Sequence, residues 1–406
     1  MGQGYSLTTL SAASASIDVP ELADLVHDKT LSSARFMKSI RARHQQGFVF
    51  VKAVMKPYPS FQVSKYVKQI TRERNALVDV PNALGYQRIV EIGAGGFLVR
   101  QHIYGSLYDR MSTRPFLEDI EKKWLVFQLL CAIRDCHARN VFHGDIKTEN
   151  LLVTSWNWLY LTDFSSSFKP TKLPEDNPAD FSFYFDTSGR RTCYLAPERF
   201  TADGSTDGGS TVNWAMDIFS VGCVVAELFL ESPIFSLSQI FKYRSGDYSP
   251  EHTHLVRIGD HEVRDMILHM IDLDPEKRYS ADEYLTFYKT KIFPNYFYDF
   301  LHQYMLDLTD PSSGQKPVIL DSANFGEPDD KIDRIHFDFD KISYFLGYNK
   351  ANDAHNTTEP KSSLRSRRTS STPSRRLSTR WRGHRPPIAT TRWTALSRSM
   401  AASMSW

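Results

Sequence analysis

The chain has 406 residues, 41% of them hydrophobic, and a net charge of only +2, which suffices to bury a large core in one bilobal domain with extensions. From Lys361 onward there are ten Arg, one Lys and no Asp or Glu, and setting those eleven positive charges against the total leaves −9 for everything before them. Four cysteines without paired spacing exclude a disulfide framework or a zinc cluster and point to a reducing compartment; with no bilayer-length apolar run and no secretory signal, a cytosolic protein is expected.

The first residues, Met1-Gly2-Gln3-Gly4-Tyr5-Ser6, match the N-myristoylation pattern: Gly2 supplies the amine once Met is removed, and Ser6 provides the hydroxyl. Residues 1–24 are expected to be a flexible lead-in. Residues 31–43 and 47–54 read as successive strands of an antiparallel sheet, the second dense in β-branched and aromatic side chains and ended by Pro57 and Pro59. Ser64 is a plausible cap for a helix carrying Val67, Ile70, Glu73, Arg74 and Leu77, and residues 93–103 supply another strand pair. A small β-rich lobe with one helix, residues 25–103, is expected.

From residue 116 to 140 the pattern turns helical, with Ile120, Trp124, Phe127, Leu130 and Ile133 on one stripe, and a larger helical lobe over residues 104–300 is expected. Residues 158–162 form a short apolar strand leading into Asp163, and the almost wholly apolar run 216–230 reads as a buried helix. Helical signals continue through 263–273, 280–288 and 297–308. Residues 301–350 read as a helical extension and linker, punctuated by Pro and Gly over 315–330. Residues 351–406 read as a disordered basic tail, because Ser, Thr and Arg with scattered Trp cannot build a core. The fold class expected is α+β and bilobal.

Three motifs occur in order, His143-Gly144-Asp145-Ile146-Lys147-Thr148-Glu149-Asn150, then Asp163-Phe164-Ser165, then Ala196-Pro197-Glu198, and they make the expected fold protein-kinase-like. Asp145 lies five residues before Asn150 and eighteen before Asp163, spacing that suits a loop-hairpin-loop aiming one base and two metal ligands at a shared phosphate. Asp145 would accept a substrate hydroxyl's proton, Lys147 would sit near the transferring phosphate, and Asn150 and Asp163 would ligate Mg²⁺. One Asp in such a turn is commonly a cap; three polar ligands at this spacing argue for chemistry. Lys52, closing Val-Phe-Val-Lys, would grip the α- and β-phosphates of ATP or another nucleoside triphosphate, with Glu73 as its helix partner; Lys56 is the rival lysine. The alternatives are an exposed strand lysine and a solvated helix face. Glu198 would pair with a buried Arg278, and Asp217 would tie down the catalytic loop by accepting backbone N–H bonds, all three being structural.

Departures from the pattern carry information of their own. The phosphate-covering stretch, residues 31–38, has no glycine; Ser32, Ser33 and Ala34 are small enough for the turn, but its grip on nucleotide is weakened. Gly144 stands where an arginine usually receives an activation-loop phosphate, and Ser165 where a glycine usually lets the segment flip, so a fixed conformation is expected. The 35 residues from Asp163 to Glu198 include the acidic, kinked run 174–180, which reads as a docking or occluding element.

The runs 143–150, 154–158, 173–181 and 190–200 resemble the vacuolar-protein-sorting serine/threonine kinase family over about residues 2–350. The resemblance implies a myristoylated regulatory subunit of class III phosphatidylinositol 3-kinase. It implies partnership with the lipid kinase's catalytic subunit and an autophagy coiled-coil adaptor, and peripheral attachment to endosomal, vacuolar, Golgi and autophagosomal membranes. Family members continue into helical repeats and a β-propeller. The Arg-rich tail reads as an altered reading frame or truncated gene model, or else as a basic membrane-attracting tail; no nucleic-acid partner is expected. Two functions stay open: a slow serine/threonine protein kinase, favoured by the retained Lys52, Asp145, Asn150 and Asp163, and a pseudokinase scaffold, favoured by Gly144 and the missing glycines.

Overall fold

A computed structural model describes residues 19–33, 37–55, 63–92, 95–164, 169–186, 188–202 and 211–309. The sequence expectations for Gly2, Ala34, Lys56, Ser165, the linker over 315–330 and the basic tail lie outside those residues.

The small lobe is a five-stranded antiparallel sheet in the order β1-β2-β3-β6-β5. Its strands are β1 (Val26–Ser33), β2 (Met37–His44), β3 (Gly47–Met55), β5 (Arg88–Ile92) and β6 (Gly95–Gln101), with β4 (Ala83–Leu84) lying apart. One helix, α1 (Val63–Ala76), belongs to this lobe. Three expectations are corrected here. Residues 31–43 take in the end of β1 and most of β2 instead of one strand, because β1 and β2 pair antiparallel with Ser33 opposite Lys38. Ser64 lies inside α1 rather than capping it. The flexible lead-in ends sooner than residue 24: Val19, Leu22 and Leu25 are buried against Ile40, Val51 and Phe97, and Arg88 grips the Asp24 carboxylate at 2.8 and 2.9 Å.

Beyond β6 come β7 (Gly105–Ser106), α2 (Leu107–Met111) and α3 (Asp119–His137). Ser106 and Asp109 close a reciprocal cap on α2, each side chain taking up the other's backbone N–H. The hairpin β8 (Leu151–Val153) and β9 (Leu159–Thr162) joins β4 and β7 in a second sheet ordered β4-β9-β8-β7. Because β4 runs parallel to β9, with Ala83 opposite Leu161 and Leu84 opposite Thr162, small-lobe chain and the strand carrying Asp163 are locked in one register. Next come β10 (Leu173–Pro174) and α4 (Pro178–Tyr184), and β10 pairs in parallel with β11 (Phe200–Thr201).

The large lobe is completed by α5 (Trp214–Leu230), α6 (Leu237–Ser245), α7 (Pro250–Thr253), α8 (His261–Met270), α9 (Ala281–Phe287) and α10 (His302–Thr309). As its composition predicts, α5 is buried all round, from Ala215 to Leu228. The stripe on α3 meets it from one side, and Trp124 and Phe127 pack against Phe297 with ring centroids 5.0 and 5.5 Å away. A π-helical turn over Phe297–Leu301 opens the last helical stretch. His302 then meets the Asn82 side chain at 2.7 Å, while Asn82 donates to the Leu159 carbonyl at 2.8 Å. All four cysteines are buried and unpaired, and burial pushes the Cys131 and Cys193 thiols up to about 12, leaving them poor nucleophiles. No helix among the described residues is long and apolar enough to cross a membrane.

Candidate active site

The catalytic loop is held from beneath by α5. Asp217 Oδ2 accepts from the His143 backbone N–H at 2.8 Å, its Oδ1 accepts from that of Gly144 at 2.7 Å, and His137 Nε2 meets Oδ2 at 3.0 Å. Burial raises the Asp217 carboxyl, but the His137 hydrogen bond and charge outweigh it, so the group stays below its ordinary range. The loop can therefore take its turn at Gly144, whose φ of 71° favours glycine. His143 Nε2 donates to the Thr162 carbonyl at 2.8 Å and its Nδ1 accepts from the Asp145 N–H at 3.2 Å, which fixes the tautomer and ties the loop to the end of β9.

Asp145 lies in the floor of the cleft, 4% exposed. The Asn150 amide nitrogen donates to its backbone carbonyl at 2.8 Å and to Oδ2 at 3.1 Å, orienting the Asn150 carboxamide so that its oxygen is the atom left for a cation. Lys147 Nζ lies 3.5 Å from Oδ2 and donates to the Phe185 carbonyl at 3.0 Å. Burial pushes the Asp145 carboxyl up, but Lys147 and Lys169 together hold it below the usual carboxylate range. Lys169 donates directly to Oδ2. The sequence reading passed over this lysine because nothing in its spacing marks it.

Asp163 follows β9 with φ of 67° and turns its carboxylate toward the small lobe. Its Oδ1 accepts from Lys52 Nζ and from the Tyr86 hydroxyl, each at 2.7 Å. Burial opposes ionisation of Asp163, but Lys52 and Lys169 hold it well below the ordinary range. Tyr86, two residues past β4, was invisible to motif reasoning; the β4–β9 register brings it to Asp163.

Lys52 sits inside β3, with Ser39 and Leu98 on the neighbouring strands, and does not close the strand as expected, because the β2–β3 and β3–β6 ladders run past it. Its partner here is Asp163, not Glu73. On α1, Glu73 Oε1 accepts from Gln69 at 3.1 Å, and the buried Oε2 has no hydrogen-bond partner among the described residues. Burial pushes this carboxyl up to about 7. Ser32 and Ser33 end β1, exposed and paired with Ser39 and Lys38.

The segment after Asp163 is anchored without any phosphate. Arg199 gives its Nη1 to the Gly144 carbonyl at 2.5 Å, its Nε to Thr171 and its Nη2 to Pro170, both at 2.9 Å. Arg190 pairs with Glu149 at 2.9 Å and with Glu227 on α5, and the Tyr194 hydroxyl joins Glu227 at 2.5 Å. Glu198 takes a two-pronged pair from the fully buried Arg278, at 2.7 and 3.1 Å, and Arg278 also donates to the Ala215 carbonyl at 2.9 Å. In the acidic run, Asn177 caps α4, which buries Phe181 and presents Phe183 to solvent.

A lysine on a central strand, a base in a loop pinned by the buried helix, and a carboxylate at the end of β9 are the parts of a phosphoryl-transfer cleft, and the family comparison agrees. Residues 34–287 match the protein kinase domain. This chain belongs to the protein kinase family. The chain is 43% identical over 366 residues to the putative serine/threonine-protein kinase VPS15 of Komagataella pastoris, covering 88% of this chain and 27% of that protein. It is 48% identical over 291 residues to the serine/threonine-protein kinase VPS15 of Arabidopsis thaliana, covering 70% of this chain and 19% of that one. With the Saccharomyces cerevisiae VPS15 kinase it shares 41% identity over 362 residues, covering 85% of this chain and 25% of the relative. The chain thus spans about a quarter or less of the curated relatives it matches.

A protein kinase domain implies ATP and Mg²⁺, and the residues present fit both. Asp163 and Asn150 offer hard oxygen donors, and Mg²⁺ is commonly held by one or two such groups together with substrate phosphates. The cations now on Asp163 and Asp145 mark where positive charge is wanted.

Proposed function

We propose that this chain is the kinase portion of a regulatory subunit of class III phosphatidylinositol 3-kinase. In this reading it works at endosomal, vacuolar and autophagosomal membranes, attached through a myristoyl group on Gly2. It transfers phosphoryl groups slowly from ATP to protein serine or threonine. The observation that carries the catalytic part is the convergence of Lys52, Asp145, Asn150 and Asp163 in one cleft, with Lys147 beside the base. Association with the lipid kinase's catalytic subunit and a coiled-coil autophagy adaptor rests on the family resemblance, and the exposed Phe183 on α4 supports a docking role for the acidic segment.

In the mechanism that follows, Asp145 orients the attacking hydroxyl and accepts its proton, and Lys147 faces charge on the moving phosphoryl group. With nucleotide present, Lys52 would hold the α- and β-phosphates, with Glu73 as its counter-ion. Asp163 and Asn150 would hold Mg²⁺, which would supply charge neutralisation along the phosphates. Asp217 and Arg199 keep the catalytic loop still.

A second reading, a nucleotide-binding scaffold without transfer, is favoured by the lysine seated on Asp145 and by the separation of Lys52 from Glu73. A thermal melt with Mg²⁺ and ATP should rise, since ligand at a hundred times its Kd stabilises by about 2.7 kcal/mol. No shift would sink both readings. Radiolabel transfer then separates them: Asp145→Asn should abolish incorporation if Asp145 is the base, and equal incorporation would remove it from that role.

A further inference from the structure

Lys169 lies six residues beyond Asp163. Its ammonium donates to Asp145 Oδ2, the oxygen that also receives the Asn150 amide at 3.1 Å and lies 3.5 Å from Lys147 Nζ. The Lys169 side chain is only 8% exposed, so this is no surface ion pair of the weak kind. Its backbone is also secured. The two carbonyls that follow it, Pro170 and Thr171, are both bound by Arg199, whose third bond reaches the carbonyl immediately before Asp145. Phe185 completes the seat: its ring lies 5.4 Å from the Lys169 ammonium and 4.9 Å from the Arg199 guanidinium, while its carbonyl takes Lys147 at 3.0 Å. One guanidinium thus fixes both the segment bearing the lysine and the loop bearing the base.

We propose that Lys169 is a rate-setting residue of the transfer site, occupying the Asp145 oxygen that a substrate hydroxyl must approach, with Arg199 as the positioning residue that keeps it there. This rests on the phosphoryl-transfer reading above. In that step the hydroxyl oxygen bonds to the γ-phosphorus, the bond from that phosphorus to the bridging oxygen breaks with its electron pair leaving on the nucleoside diphosphate, and the hydroxyl proton passes to Asp145. An ammonium already donating to Oδ2 competes for the same lone pairs. Transfer therefore waits on Lys169 moving aside, and the slow step lies in the protein itself.

The test uses the full chain, with transfer measured by radiolabel and the binding of Mg²⁺–ATP and Mg²⁺–ADP measured by calorimetry. Lys169→Met, whose apolar end can rest against Phe185, should raise transfer at least tenfold while both affinities stay within about twofold of the parent. Lys169→Gln serves if the Met variant does not fold. Lys169→Arg, which keeps a cation on Asp145, should recover only a small part of that gain. Arg199→Lys should raise kcat without changing KM for ATP, and should add nothing on top of Lys169→Met; a purely structural Arg199 would lower the melting temperature and leave kcat no higher. Nucleotide binding with unchanged, absent or reduced transfer in the Met variant overturns the proposal but spares the nucleotide site. A tenfold loss of ATP affinity with ADP unaffected overturns it too, and assigns Lys169 to the terminal phosphate. If the parent binds no nucleotide, the transfer-site reading falls, and the proposal with it.

Discussion

Glu73 is the residue whose chemistry the surrounding structure changes most visibly. Its Oε2 is buried without a hydrogen-bond partner among the described residues, and its carboxyl is pushed from an ordinary 4.5 up to about 7. Because the folded value lies above the unfolded one, the native state holds the extra proton between them, and its stability is full below pH 4.5 and falls as pH rises through about 7. Glu73→Gln should remove that slope and stabilise the protein at pH 8 by on the order of 1–2 kcal/mol, after allowance for partial exposure. Thermal melts of both proteins from pH 5 to 8 check this, and parallel curves would refute it. Motif spacing paired Lys52 with Glu73, but the structure places Lys52 on Asp163 and Glu73 beside Gln69; burial of the Glu73 carboxyl cannot be read from spacing.

At the scale of elements, the buried helix α5 and the arginines packed on it do the organising. Arg278 is the counter-ion of Glu198 and also donates to the Ala215 carbonyl at 2.9 Å. Arg278→Ala would strand Glu198, at a cost of about 3–5 kcal/mol. We expect the melting temperature to fall and activity per folded molecule to be largely kept; a normal melt with lost transfer would contradict this structural role. The segment between Asp163 and Glu198 is fastened by Arg190 and Arg199 to Glu149, Glu227 and the Gly144 carbonyl. The loss of arginine at position 144 thus does not leave the segment loose, since its fastening uses side chains from its own far end. That part was illegible beforehand: Arg190 and Arg199 are close in sequence to one another and far from the loop they hold.

For the molecule as a whole, the proposed myristoyl group on Gly2 sets one expectation. A single myristoyl chain gives only marginal membrane binding, so a second contact is needed for stable anchoring. Gly2→Ala should reduce sedimentation of the full chain with phosphatidylcholine–phosphatidylserine vesicles at least tenfold; full binding by that variant would count against lipidation.

The sequence by itself determined the kinase fold, the order of its lobes, the Glu198–Arg278 pair and the role of Asp217, and it singled out Asp145, Asn150 and Asp163 as candidate site residues. Each is specified by residue type at a set separation along the chain, and such local spacing survives translation into structure. Strand ends, the entry into the small lobe at Val19 and the position of Lys52 within β3 depended on ladder pairing, which only the assembled sheet supplies. Tyr86 on Asp163, Lys169 on Asp145 and the Arg199 clamp were decided by tertiary structure alone. Each joins residues from separate elements through the β4–β9 register or the return of the segment onto the catalytic loop, and burial turns those meetings into strong, directional contacts.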